Sequence, residues 1–183
     1  MPGIAASRVA EYGTADVRTA DRVEAPTPGP GEVVVDVCAA SVNPIDWKVR
    51  SGAMSGVMPT TFPATTGRDG AGVIAAVGEG VDPRRLGERV CFLAGRGVGT
   101  WAEKILLPKD LAVPIPDGLS FVDAAALPLA GPSAWIPPAV AAPVGPGMRV
   151  LVHAGAGGVG SLGVQIALDR GACVAATRSA PHA

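Results

Sequence analysis

RVLVHAGAGGVGSLGVQIA, residues 149–167, is the stretch whose reading decides the fold. Val150 to His153 reads as a short buried strand, after which Gly155, Gly157 and Gly160 supply a GxGxxG turn. Leu162, Val164, Ile166 and Ala167 carry the apolar pattern on as a helix that packs back on the strand. In such a turn Gly155 lets the chain reverse sharply, Gly157 lets backbone N–H groups approach a pyrophosphate, and Gly160 lets helix and strand pack closely. The helix N-terminus then offers its unpaired donors and the positive end of its dipole to an anion. A lone GxGxxG is weak evidence in a chain of 25 glycines. This one follows a strand, opens a helix and precedes a second strand, Ala172 to Thr177, which is the context a dinucleotide loop requires. The competing reading is a tight turn with a structural role alone.

Composition bounds the rest. With 183 residues, 48% hydrophobic and 17% charged, the chain has enough apolar material for a soluble globular core. A net charge of −1 and the lack of a Lys/Arg stripe argue against nucleic-acid binding. The longest uncharged stretch, Ala124 to Met148, carries six prolines and makes a poor membrane span. The opening MPGIAASRVAEYG lacks the long apolar core of a signal peptide, so a cytoplasmic location is expected. Cys38, Cys91 and Cys173 are isolated, with no CxxC spacing, and read as reduced packing residues.

In chain order, Arg8 to Glu24 suits an opening hairpin around Tyr12-Gly13, and APTPGPGE at residues 25–32 stops it. A strong strand is expected over Glu32 to Ala39, ending where Asn43-Pro44 holds the chain extended. One helical turn over Asp46 to Arg50 closes at Gly52, and further strands follow at Gly72 to Val77, Leu86 to Leu93 and Gly99 to Leu107. Short strands with regular turn signals point to a small antiparallel barrel. After Leu119 the character changes: Ser120 is a candidate N-cap with Asp123 behind it, opening a helix that reaches Pro128. Pro132, Pro137, Pro138 and Pro143 argue against a continuous helix from Ser133 to Val144. From Val150 only 34 residues remain, roughly one βαβ unit, where a doubly wound domain requires about six strands.

The runs PGPGEVVVDVCAASVNPIDWKVRSG, FPATTGRDGAGVIAAVGEGV, GTWAEKILLP, DAAALPLAGPSAW and VLVHAGAGGVG together resemble the N-terminal half of a medium-chain dehydrogenase/reductase, most closely its quinone oxidoreductase and enone reductase branch. The resemblance implies a mixed fold: a GroES-like β-barrel catalytic domain over residues 1–125, followed by the first β-α-β unit of a Rossmann domain over residues 126–183, with the reaction in the cleft between the two. It places Asn43 beside the nicotinamide and the hydroxyl of Ser133, in AGPSAW, near the cofactor. Gly155, Gly157, Gly158, Val159 and Gly160 match the pyrophosphate loop. Asp46 and Arg50 match an NxxDxxxR pattern in which a structural role is expected for both.

Zinc relatives in that superfamily carry cysteine where Asn43 stands and a His-Glu pair where Arg68 and Asp69 stand. The chain's two histidines, His153 and His182, join no cysteine at ligand spacing, so no metal is expected. At the end of the second strand, Thr177-Arg178-Ser179 replaces the acidic residue of an NAD site and suits a 2′-phosphate, which favours NADPH. The implied chemistry is hydride transfer to a quinone or to the β-carbon of an activated enone. Asn43 or Lys48 would then stabilise the acceptor oxygen, and Trp47 would line either a substrate pocket or the barrel core. Two functions stay open: an NADPH-dependent oxidoreductase, impaired or completed by a homo-oligomer or partner chain, and an inactive GroES-like remnant or interaction module with a vestigial cofactor loop.

Overall fold

The computed structural model describes residues 3–95 and 97–179, so His182 lies outside the described residues. The chain divides into two compact units between Pro128 and Leu129.

The first unit opens with the expected hairpin, β1 (Ile4–Val9) antiparallel to β2 (Arg18–Val23). Then follow β3 (Glu32–Ala40), α1 (Pro44–Arg50), β4 (Ala64–Thr65), β5 (Asp69–Val77), β6 (Arg89–Leu93), β7 (Lys104–Pro108) and β8 (Val113–Pro114). They form two antiparallel sheets, one ordered β2-β1-β4 and the other β7-β3-β5-β6-β8. A bridge between Ala6 and Ala102 and the bond from Ser7 N–H to Trp101 C=O, 2.8 Å, tie β1 to the chain just ahead of β7. The core fills from the β-branched and aromatic residues of the larger sheet, where Val33, Val35, Ile74, Val90, Phe92, Ile105 and Leu107 are buried. On β6 burial alternates, with Val90 and Phe92 inside, as period two requires. The β3–β5 register shifts twice, and a Cβ on Gly72 would lie 2.0 Å from Asp36 C=O, so only glycine permits that approach.

Several strand boundaries differ from expectation. β5 begins at Asp69, three residues before Gly72, because a buried carboxylate is tolerated there by the hydrogen bonds described below. β6 begins at Arg89 rather than Leu86, since Asp82 caps a short 3-10 turn over Pro83–Arg85 and Gly87, with φ of 80°, takes the chain around it. β7 begins at Lys104 rather than Gly99: Gly99 passes so close to the loop after β4 that a Cβ would sit 2.2 Å from Thr65 C=O. Of the cysteines, only Cys91 is half-buried, where desolvation holds its thiol above the ordinary range. Cys38 and Cys173 are exposed, which corrects the packing role expected of them.

Helix α2 (Phe121–Ala125) has the expected cap: Ser120 Oγ accepts from Asp123 N–H at 3.1 Å and donates to Asp123 Oδ2 at 2.5 Å. A break at Ala126 starts α3 (Leu127–Ile136), in which Pro128 takes an early position where a missing N–H costs nothing. The expected stop at Pro128 is therefore wrong, and α3 runs on through Pro132. The later prolines act as argued: the α-helix ends at Ile136, and Pro137–Ala141 forms a wider π turn closed by Ala142 N–H on Pro137 C=O at 2.9 Å. In the second unit β9 (Arg149–Val152), α4 (Gly158–Asp169) and β10 (Cys173–Ala176) follow, with β9 and β10 parallel. β9 was expected to be buried, yet Leu151 is 58% exposed, because the sheet has two strands and a single covering helix among the described residues. On α4 only Ala167 is buried.

Candidate functional site

The glycine loop joins β9 to α4. Its reversal comes from Ala154, with φ of 55°, rather than from Gly155 as the motif reading has it. Gly155 is needed for space, because a Cβ there would lie 2.6 Å from Cβ of Ala176 on β10. Gly160 packs more tightly still, its notional Cβ 2.1 Å from Ala154 C=O, so the helix start and the loop lie in direct contact. Gly157 is the N-cap, and it supplies no side chain to cap the N–H groups of the first turn. The N–H groups of Gly158, Val159 and Gly160 thus point out of the helix start without intrahelical acceptors. A Cβ on Gly158 would meet nothing within 4 Å, and Val159 is exposed. A bare helix start facing open space fits a pyrophosphate by donor geometry and by dipole.

Beyond β10, Thr177 closes the loop from the other side. Its N–H donates to Val152 C=O at 3.0 Å and its C=O accepts from Gly155 N–H at 2.8 Å. Its hydroxyl accepts from Ala154 N–H at 3.3 Å and lies 3.2 Å from His153 Nδ1. Thr177 therefore braces the loop, while Arg178 and Ser179 stand exposed after it. Ser133, on an exposed face of α3, donates its hydroxyl to Leu129 C=O at 2.8 Å and keeps its lone pairs free to accept.

In the first unit Asn43 is the N-cap of α1. Asp46 Oδ2 accepts from Asn43 N–H at 2.6 Å, which explains the Asn-x-x-Asp spacing as half of a capping box. The Asn43 amide donates to Ser41 Oγ at 2.8 Å and to Asp69 Oδ1 at 2.7 Å, and Ser41 Oγ also donates to that oxygen. Trp101 Nε1 donates to Ser41 C=O at 3.0 Å. Asp69 is fully buried, and this network is what makes that burial tolerable. Asp46 is buried too, and desolvation pushes its carboxyl above the ordinary value of 3.8, opposed by the Asn43 N–H bond and raised further by the charge of Asp69. Lys48 is exposed, its ammonium 5.8 Å from the ring centroid of Trp47, which is itself half exposed and outside the core.

Both amide hydrogens of Asn43 are thus committed within the protein. Sequence reading missed Ser41, Asp69 and Trp101. The signal for Asp69 was a charge at the head of the glycine-rich apolar run DGAGVIAAV. Among the described residues no group of three or more His, Cys, Asp and Glu side chains converges as a metal site. No helix among them is long and apolar enough to cross a membrane.

Residues 29–117 match the alcohol dehydrogenase GroES-like domain. The human synaptic vesicle membrane protein VAT-1 homolog is 38% identical over 141 residues, 77% of this chain and 35% of that protein. The chloroplast envelope quinone oxidoreductase homolog of Arabidopsis thaliana is 37% identical over 162 residues, 85% of this chain and 49% of that protein. A mycobacterial protein solved in complex with NADPH superposes with a TM-score of 0.84 at 33% identity, covering 97% of this chain and 53% of its own. The chain thus spans half or less of the length of these curated relatives. Ordered motifs, a GroES-like barrel and a parallel β-α-β unit agree with these likenesses, and the chain belongs to the medium-chain dehydrogenase/reductase superfamily, on its quinone oxidoreductase branch.

Proposed function

We propose that the protein serves as an NADPH-dependent oxidoreductase of the quinone oxidoreductase type, acting in the cytoplasm on a small quinone or activated enone. The observation that carries this reading is the helix start at Gly157 to Gly160, uncapped by any side chain and open above Gly158. Gly158, Val159 and Gly160 would hold the pyrophosphate through backbone N–H groups, with Gly155 and Gly157 keeping the approach clear. Arg178, with Ser179, would meet the 2′-phosphate, a guanidinium suiting that dianion better than a ribose hydroxyl. The braced hydroxyl of Thr177 would hold the loop rather than the phosphate. When bound, NADPH supplies the hydride delivered to the acceptor.

Around the acceptor, the chain's own residues divide the work. Asn43, its amide oriented by Asp69 and Ser41, would present Oδ1 to the donor side of the nicotinamide carboxamide. Lys48 is then the better candidate to donate to the acceptor oxygen as negative charge develops there, since among the described residues its ammonium meets the Trp47 ring and no acceptor. Ser133 would accept a hydrogen bond from the cofactor. The residue placements, the domain limits of 1–125 and 126–183 and any partner completing the two-stranded sheet belong to this proposal.

The test is a titration of the chain with NADPH and, in parallel, NADH, followed by the fluorescence of Trp47, Trp101 and Trp135. Saturable binding that favours NADPH by about tenfold, and that falls when Arg178→Ala removes the charge, is the expected result, with quinone reduction assayed next. Absence of binding by a chain shown to be folded would favour an inactive GroES-like module instead.

A further inference from the structure

A cavity of about 570 Å³ lies wholly within the first unit, and neither Asn43 nor Lys48 lines it. Its charged side chains are Arg8, Glu24, Asp46, Arg50, Arg68 and Lys104, with the hydroxyl of Thr66 beside them. Four of these carry buried polar atoms with no hydrogen-bond partner: Arg8 Nε, Asp46 Oδ1, Arg50 Nε and Thr66 Oγ1. Folded proteins leave few such atoms, and four gathered on one cavity are an unmet demand for a polar occupant. Asp46 is 95% buried by its 5% exposure, so its free oxygen answers to the cavity and not to bulk water.

The wall's chemistry is specific. Arg8 is already held, donating to Asp21 Oδ2 at 2.9 Å and to Pro63 C=O at 2.7 Å, with Nε left over. Arg68 makes one long bond, to Gly95 C=O at 3.3 Å. Arg50 has its Nε buried and unpaired, and its backbone C=O, accepting from Gly13 N–H at 3.0 Å, fixes where the side chain begins. Guanidinium donors in excess call for an oxyanion, while Asp46 Oδ1 accepts only from a donor and Thr66 Oγ1 serves as either. Apolar side chains, among them Val49, Phe62 and Leu106, line the same space. Tyr12 pins that wall in place, its ring edge-on to Phe62 at 4.8 Å and its hydroxyl accepting from Thr60 N–H at 3.0 Å.

We propose that this cavity binds a small hydroxy acid with an apolar body, its carboxylate on Arg50 and Arg68 and its hydroxyl donating to Asp46 Oδ1 beside Thr66. The volume matches that of small-molecule pockets. The site is independent of the nucleotide reading, since it uses no residue of the glycine loop. If water alone fills the cavity, the orphaned atoms are satisfied without any ligand.

The experiment is calorimetric titration of the full chain with 3-hydroxybenzoate, with benzoate and inorganic phosphate as comparison probes. Saturable binding of 3-hydroxybenzoate, tighter than benzoate by several-fold and weakened about tenfold or more by Arg50→Met, is expected. Arg50→Met leaves the Gly13 bond to the backbone intact; should it still fail to fold, Thr66→Val, nearly isosteric and uncharged throughout, must weaken binding several-fold. No saturable binding by the folded chain overturns the proposal, as does binding indifferent to both substitutions. Equal affinity for phosphate also overturns it, marking a general anion trap.

Discussion

The two units hold themselves together by different means. In the first, large side chains from four strands meet in one core, and Val33, Val35, Val90, Phe92 and Leu107 are no more than 1% exposed. In the second, the buried hydrophobic residues among those described, Ala130, Ala134, Ala167 and Ala172, are all alanines, while Trp135, Ile136, Met148, Leu151 and Leu168 are each about half exposed. An alanine methyl removes little area from water, so burial contributes far less per residue there than a buried phenylalanine or leucine does. The second unit depends more on its parallel ladder and its helix. The largest expected effect follows directly: Phe92→Ala should cost about 3–5 kcal/mol in urea unfolding. Leu151→Ala should stay within about 0.5 kcal/mol. A comparable loss from both would mean that Leu151 is covered in solution, and the contrast between the units would fail.

A smaller effect sharpens the contrast inside the second unit. Here glycine, not a large side chain, sets the geometry. Gly160→Ala puts a Cβ 2.1 Å from Ala154 C=O, a backbone atom with no freedom to yield, because Ala154 is held by Thr177. Gly158→Ala, two residues earlier, puts one in open space. The first should weaken NADPH binding about tenfold or more and loosen the start of α4, seen as faster amide exchange. The second should leave the fold and exchange rates unchanged. Equal tolerance of both would show that the loop is free to relax and that glycine is not needed there for packing.

How much of this was legible in the sequence varies with how local the cause is. The β9–loop–α4–β10 unit could be read because strand, glycine turn and helix are set by neighbours in sequence, and the Ser120 cap could be read for the same reason. The start of β5 at Asp69 was not legible, because its partners Ser41 and Asn43 lie 28 and 26 residues away. Nor was the late start of β7, which turns on the approach of Gly99 to Thr65 across the barrel. Among the site residues, Asn43 and the glycine loop stood out by motif. The commitment of the Asn43 amide to Asp69, and of the Thr177 hydroxyl to Ala154, depends on side-chain direction, which a motif does not carry.

Buried polar groups complete the comparison, since Asp46, Asp69 and Thr100, all in the first unit, are the buried polar residues among those described. Asp46 gives the smallest and most diagnostic prediction. Desolvation raises its pKa above 3.8, so the folded chain binds that proton more readily than the unfolded one. Its contribution to stability is therefore most favourable below 3.8 and declines as pH rises through the folded value, where the carboxylate must be held in a poorly solvated place. Asp46→Asn keeps an oxygen to accept from Asn43 N–H and removes the titration. Relative to the parent chain, the variant should gain stability as pH is raised from below 3.8 to neutrality, with the two curves parallel above that range. Unfolding measured across that pH range decides it. A difference that stays constant, or that grows in the opposite sense, would mean that the Asn43 bond and the nearby Arg68 and Arg18 charges outweigh burial at this carboxylate. The cap would then be held by charge, and the first unit would depend at α1 on electrostatics as much as on its core.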